Sequence, residues 1–352
     1  MTSRDQPPHG RFTMHKSEAR RPAQELAYLD SIRDRGWGRG MVTRARFPWA
    51  YLRPRHLGVA LAAAMLCLTV NVLPFSCIIA MGRGLGRLMR HFMKRRDYVL
   101  RTNLSLAFSG LSPEEREHMA RDIFANSGAA LLETGIAWDW PQRRLRRLID
   151  IDPLELATAR ELAARGMPIL VLTGHFFHLE IMARAYAVLV RPGVGVYRPS
   201  NDPLWEYVQV SGRLRSNLGL VDRTDGRSLI RALSHGHPIW YAPDQDYGRR
   251  AAVFVPFFGV DDTATITGTH DLARVRGTIV QPAWTVRTAR GYTLRILPPL
   301  QDFPTADKVA DTSRVNGVLQ EMIMTAPTQY LWMHRRFKTD PEGHGSRYPD
   351  IL

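Results

Sequence analysis

Cysteine is almost missing from this 352-residue chain: there are two, Cys67 and Cys77, both inside its most apolar segment. That leaves no basis for a disulfide framework or a cysteine-bound zinc site. Acidic residues are also scarce. Asp and Glu number 33 against 48 Lys and Arg, a formal net charge of +15, with an isoelectric point near 10.4. Such an excess favours acidic partners: nucleic acid, an anionic membrane surface or an acidic protein. No internal repeat is visible. With 45% hydrophobic residues, the chain is globular and long enough for one large domain or two small ones.

Residues 1–45 form a polar, basic tail with faint hydrophobic periodicity. It is expected to be disordered, with a short helix near 23–33, and it is too polar to be a secretion signal. Residues 46–97 read as a membrane anchor with basic flanks. From Leu57 to Met81 no side chain is charged, and at about 1.5 Å per helical residue this stretch could cross about 30 Å of hydrocarbon. A straight spanning helix is the first expectation. A bent or half-inserted hairpin is the second, because Asn71 and Pro74 interrupt the run; a buried core helix is the third. Gly82-Arg-Gly84-Leu-Gly86 follows this segment and not a strand, so close helix packing suits it better than nucleotide binding.

Residues 98–348 are expected to form the catalytic domain. Tyr98–Asp150 looks helical, with a helix start at Ser112-Pro113-Glu114-Glu115. Pro168–Thr173 is a short apolar run between Gly166 and Gly174, the pattern of a strand covered on both faces. From His175 onward Leu179, Met182, Ala183 and Tyr186 recur at helical spacing. His175 therefore sits at the carboxyl end of a strand, where open α/β sheets place their sites. Glu180 lies five residues on, roughly 140° away on a continuous helix. The two meet only if His175 is still in the turn. A carboxylate could then hold one imidazole nitrogen and leave the other as a general base; a histidine that merely caps the helix is the competing reading. His178 is expected to pack beside Phe176 and Phe177.

Other strand ends point the same way. Gly193–Tyr197 leads to Arg198, whose guanidinium could bind phosphate or stabilise an oxyanion, or pair on the surface. Pro238–Ala242 leads to Asp244 and Asp246, which fit either an Asp-x-Asp metal site or a turn. Val253–Gly259 is apolar and aromatic, suited to a lipid groove or to core. Ile279–Val286 and Tyr292–Leu297 read as a strand pair, and 305–325 as a helix. The cationic, aromatic end contains Arg335, Arg336 and Lys338 and suits phosphate groups at an interface, or an acidic partner.

In order, these segments resemble a known family. Gly174-His175-Phe-Phe-His-Leu-Glu180 has the His-x4-Glu form of the glycerolipid and lipid A acyltransferases. Val196-Tyr-Arg198-Pro, Trp240-Tyr-Ala-Pro-Asp244-Gln-Asp246-Tyr-Gly248, Phe254-Val-Pro-Phe-Phe and Gln329-Tyr-Leu-Trp-Met-His-Arg335-Arg336-Phe-Lys338-Thr follow. Phe92-Met-Lys-Arg-Arg96, Asn103-Leu-Ser-Leu and Glu133-Thr-Gly-Ile-Ala-Trp138 precede them. From about Pro54 to Tyr348 the set resembles the late lipid A acyltransferases, the Kdo-dependent lauroyl and myristoyl transferases. The first 45 residues depart from it.

The resemblance implies a mixed, largely parallel α/β sheet flanked by helices, with an N-terminal membrane-anchoring helix. It implies a Gram-negative inner-membrane enzyme facing the cytoplasm. Such an enzyme moves a fatty acyl chain from acyl carrier protein to a hydroxyl on an acyl chain of a Kdo-bearing lipid A precursor, without metal or cofactor. In that setting His175 is the expected base and Glu180 its orienting partner. Arg198 would serve the oxyanion or a phosphate, and Asp244 and Asp246 would shape the site. Arg335, Arg336 and Lys338 would bind phosphate or Kdo carboxylates. The rival readings are a glycerolipid acyltransferase, a membrane-associated glycosyltransferase using Asp244 and Asp246 with a metal, and a nucleic-acid binder, against which the His-x4-Glu turn and the charge-free segment argue.

Overall fold

The computed structural model of the chain describes residues 40–49, 54–275, 277–343 and 347–349; the expected helix at 23–33 lies outside them. The charge-free segment is not one helix. It breaks at Leu73–Pro74 into α1 (Leu57–Val72) and α2 (Phe75–Phe92). Proline has no N–H to give and pushes Leu73 into an extended conformation, as observed (φ −84°, ψ 148°). The straight spanning helix is thereby corrected: no described helix is long and apolar enough to cross a membrane.

Helices α3 (Lys94–Ala107) and α4 (Pro113–Asp139) follow. Ser112 and Glu115 cap α4 reciprocally, at 3.2 and 2.7 Å, which satisfies two otherwise orphaned N–H groups. Helix α2 runs antiparallel along α4. A side chain at Gly128 would overlap the backbone of Gly82 and Gly86, so the three glycines are what permit this approach. Arg83 to Asp122 (2.9 Å) and Arg90 to Glu117 (3.0 Å) close the seam.

The remainder alternates strand and helix. In chain order come α5 (Gln142–Arg146), β1 (Ile149–Ile151), α6 (Pro153–Ala164), β2 (Ile169–Leu172), α7 (Leu179–Leu189), β3 (Val194–Tyr197), α8 (Pro203–Leu214), β4 (Gly219–Asp222), α9 (Gly226–Ser234) and β5 (Ile239–Tyr241). Then follow β6 (Ala252–Phe257), β7 (Val260–Ile266), α10 (Gly268–Ala273), β8 (Ile279–Arg287), β9 (Tyr292–Ile296) and α11 (Lys308–Thr325). Seven strands form one sheet in the order β1-β9-β8-β2-β5-β3-β4, and β6 and β7 pair separately. Every pairing in the large sheet is parallel except β8 with β9, which bears out the mixed, largely parallel α/β class.

Strand β2 is central and fully buried. Leu170 and Leu172 face a core containing Ile239, Val280 and Leu319, while Ile169 and Val171 face Met182, Tyr186 and Ala283. Each such aliphatic side chain stabilises the fold by about 1.5–3 kcal/mol when fully buried, so the strand that carries His175 is held from both sides. At the far edge Val42 bridges Leu220 through paired backbone bonds of 2.8 and 2.9 Å. The end of the basic tail is therefore docked on β4, with Met41 and Val42 buried.

Candidate active site

Strands β2 and β5 are parallel neighbours, so the residues just beyond their carboxyl ends meet. Beyond β2 the chain reaches His175, and beyond β5 it reaches Asp244. The His175 backbone N–H donates to Asp244 Oδ2 at 2.7 Å, and its Nδ1–H donates to Oδ1 at 2.5 Å. Tyr330 Oη donates to Oδ2 at 2.8 Å. Asp244 is fully buried, while the His175 side chain keeps 27% exposure. This carboxylate fixes the imidazole as the Nδ1–H tautomer and leaves Nε2 with a lone pair. Burial alone would lower the His175 pKa, but the Asp244 charge outweighs it and raises the pKa. Burial works the other way on Asp244, where His175, with help from Tyr330, holds the carboxyl at about 2.

Glu180 does not make the contact that the His-x4-Glu spacing suggests. It lies in the first turn of α7 and its carboxylate is taken by Arg213 of α8, with Nε at 2.9 Å and Nη2 at 2.5 Å, and by Trp138 Nε1 of α4 at 2.9 Å. Burial pushes the Glu180 pKa up, and Arg213 more than reverses this. The pair is a tie among three helices. The expected His175–Glu180 hydrogen bond is replaced by His175–Asp244, because Asp244 takes both the backbone N–H and the Nδ1–H of His175.

Of the other expected site residues, Arg336 lines the pocket beside His175, and Arg198, Asp246, Arg335 and Lys338 do not. Asp246 is buried and has partners of its own: its Oδ1 accepts from Gly248 N (2.8 Å) and Thr339 Oγ1 (2.7 Å), and its Oδ2 accepts from Thr339 N (2.9 Å). Lys338 Nζ stands 3.9 Å from it. The two carboxylates thus clamp different segments and share no hydrogen-bond partner. Arg336 is buried, its Nη1 donating to Ala264 O (2.6 Å) and its Nη2 to Thr265 Oγ1 (2.7 Å), with the guanidinium 4.7 Å from the Phe257 ring centroid. Arg198 is exposed just beyond β3, and Arg335 and Lys338 are half-buried.

A small pocket opens beside His175, lined by Asp244, Gln245, Tyr330, His334, Arg336 and Asn103 among others. Sequence reasoning gave no role to Asn103, Arg213, Gln329, Tyr330 or His334, although all but Arg213 stood in the quoted motifs. Gln329 Oε1 accepts from His178 Nε2 (2.7 Å) and Arg287 N (2.8 Å), so His178 is a polar brace and not only packing. Phe177 N donates to Gln329 O and Leu331 N to His175 O. The 329–331 segment is thereby stitched to the histidine turn and delivers Tyr330 to Asp244. Asn103 Nδ2 donates to the carbonyls of Trp332 (2.5 Å) and His334 (2.7 Å), fixing the next stretch.

Comparisons with known proteins give the family. The family model for bacterial lipid A biosynthesis acyltransferases matches residues 44–339. The lipid A biosynthesis lauroyltransferase of Escherichia coli is 43% identical over 310 residues, covering 88% of this chain and all of that protein. The palmitoleoyltransferase of Escherichia coli is 39% identical over the same shares. A lipid A biosynthesis acyltransferase of Haemophilus influenzae is 39% identical over 302 residues, covering 83% of this chain and 94% of that protein. The chain belongs to the bacterial lipid A biosynthesis acyltransferases, enzymes of acyl transfer to lipid A.

Proposed function

We propose that this chain moves a fatty acyl group, laurate or one of similar length, from the thioester of acyl carrier protein to a hydroxyl on an acyl chain of a Kdo-bearing lipid A precursor, with His175 as general base. The observation that carries the reading is the buried Asp244 carboxylate on His175 Nδ1 at 2.5 Å, which leaves Nε2 to take the hydroxyl proton. The hydroxyl oxygen attacks the thioester carbonyl, the C–S bond breaks, and His175 returns the proton to the departing thiolate. A thioester is already activated, so the step needs no metal or cofactor. Asp244 steadies the imidazolium. Glu180 acts indirectly, through Arg213, by holding α7 and hence the turn that precedes it.

Anionic groups of the precursor fit the cationic side chains around the site. Arg198, Arg335 and Lys338 are accessible for phosphate or Kdo carboxylates, and buried Arg336 adds positive potential beside the pocket. The net charge of +15 also suits an acidic carrier protein. Leu57, Leu61, Met65, Leu68 and Val72 on α1, with Met81, Leu85, Leu88 and Phe92 on α2, are exposed. We infer that these stripes enter the cytoplasmic leaflet of the inner membrane, with Arg87, Lys94 and Arg95 meeting anionic headgroups. That corresponds to the half-inserted reading of the anchor.

The test is transfer by purified full-length enzyme in detergent, with lauroyl acyl carrier protein and Kdo-bearing precursor. One acyl chain should be added to the precursor. Equal transfer from lauroyl coenzyme A at matched concentration would remove the carrier from the account, and absence of transfer from either donor would remove the reaction.

A further inference from the structure

The pocket beside His175 holds a neutral polar side chain that the general-base step does not use. Asp244 is committed to His175 and Tyr330. Asn103 gives both its bonds to backbone carbonyls, and its Oδ1 takes the Tyr348 hydroxyl. Both Nη atoms of Arg336 are engaged, and its Nε, which has no hydrogen-bond partner among the described residues, belongs to a guanidinium already held against the Phe257 ring. His334 lines the same pocket, yet among the described residues neither of its ring nitrogens has a hydrogen-bond partner, and Nε2 is buried. Buried polar atoms are nearly always satisfied, and an exception at a reaction centre calls for a ligand. The backbone that carries the ring is fixed, because Asn103 Nδ2 donates to the His334 carbonyl at 2.7 Å.

Its charge state suits a particular task. Burial first, then the neighbouring charges of His175 and Lys338, push its pKa down to about 4. At neutral pH the imidazole is uncharged and presents one N–H. A second imidazolium here would oppose protonation of His175, which the reaction requires; a neutral ring does not. As the hydroxyl oxygen bonds to the thioester carbon, the carbonyl oxygen becomes an oxyanion and needs a preorganised donor that does not itself titrate.

The geometry points to His334 as that donor: its ring N–H hydrogen-bonds the oxyanion of the tetrahedral intermediate while His175 carries the proton. This rests on the general-base reading of His175 and adds a second catalytic residue to the same site. The proton path is unchanged, since His334 donates a hydrogen bond and transfers no proton.

The experiment compares kcat and KM for wild type, His334→Ala, His334→Phe, His334→Gln and His175→Ala as full-length enzymes, with thermal midpoints measured alongside. His334→Ala should lose about 10²–10³-fold in kcat, with KM changed by less than about threefold. His334→Gln, which restores an N–H donor, should recover at least about tenfold of that loss. Should the alanine variant not fold, His334→Phe fills the ring volume without a donor and carries the comparison. An alanine or phenylalanine variant with wild-type kcat, beside an inactive His175→Ala, overturns the role of His334 and leaves the base intact. A loss in KM alone overturns it also. Activity retained by His175→Ala would remove the general-base reading, and this inference with it.

Discussion

His175 and Asp244 are 69 positions apart in the chain and share a hydrogen bond because β2 and β5 are neighbours in the sheet. The sequence displayed the histidine plainly: an apolar strand, a glycine, then helical spacing. It did not display the partner, because spacing reports only local geometry, and five residues of local geometry favoured Glu180. Substitution separates the two carboxylates. Asp244→Asn removes the charge that raises the His175 pKa, so the imidazole gives up its proton at lower pH. The acid limb of the kcat/KM profile should then move to lower pH, while the plateau falls by about 10²–10⁴-fold. Glu180→Gln weakens the tie to Arg213, a charge-assisted contact of the class that contributes about 1.5–3 kcal/mol. It should lower the thermal midpoint and leave the acid limb in place. An acid limb that moved with Glu180→Gln and stayed with Asp244→Asn would return Glu180 to the imidazole.

At the scale of elements, legibility followed the strength of local signals. Strand β2, the β8–β9 pair around Arg290-Gly291 and the capped start of α4 were all expected from the sequence and are present. Strand β4 and helices α8 and α9 were not. Gly219-Leu-Val-Asp222 has only two apolar residues, and the arginines of the 213–231 region masked its periodicity. Pro74 was seen as an interruption, yet only packing shows that the chain continues as a helix laid along α4. That packing makes a prediction of its own. A Cβ at Gly128 would meet the backbone of both Gly82 and Gly86, and backbone yields less readily than a flexible side chain. Gly128→Leu should destabilise the protein by at least about 1–3 kcal/mol, the usual range for overpacking. Gly84→Leu, where a Cβ meets nothing within 4 Å, should be close to neutral. Denaturant unfolding of both variants in one detergent checks this, and equal losses would mean that α2 does not sit on α4.

For the whole molecule, the catalytic edge and the apolar stripes belong to one surface arrangement. His56, just before α1, binds Asp202 beyond the end of β3 at 2.7 Å. Arg96, at the start of α3, donates to Met333 O at 3.0 Å. The start of α1 is thus tied to the loop after β3, and the start of α3, which follows α2, to the segment next to His334; on the proposed membrane-bound reading, the apolar stripes would present the acceptor hydroxyl to this side of the molecule. Leu61→Glu combined with Leu68→Glu and Leu85→Glu should abolish co-flotation with anionic liposomes while leaving far-ultraviolet circular dichroism unchanged. Co-flotation that persists would show that other surfaces hold the lipid.

Whether His175 performs acyl transfer to lipid A is read most directly in cells. Lipid A from a bacterial strain lacking this gene and any related acyltransferase should be analysed by mass spectrometry after complementation with wild type or His175→Ala, at matched protein levels. Wild type should restore one secondary acyl chain, whose mass names the fatty acid, and His175→Ala should leave lipid A one chain short. Full acylation by the alanine variant would contradict the account.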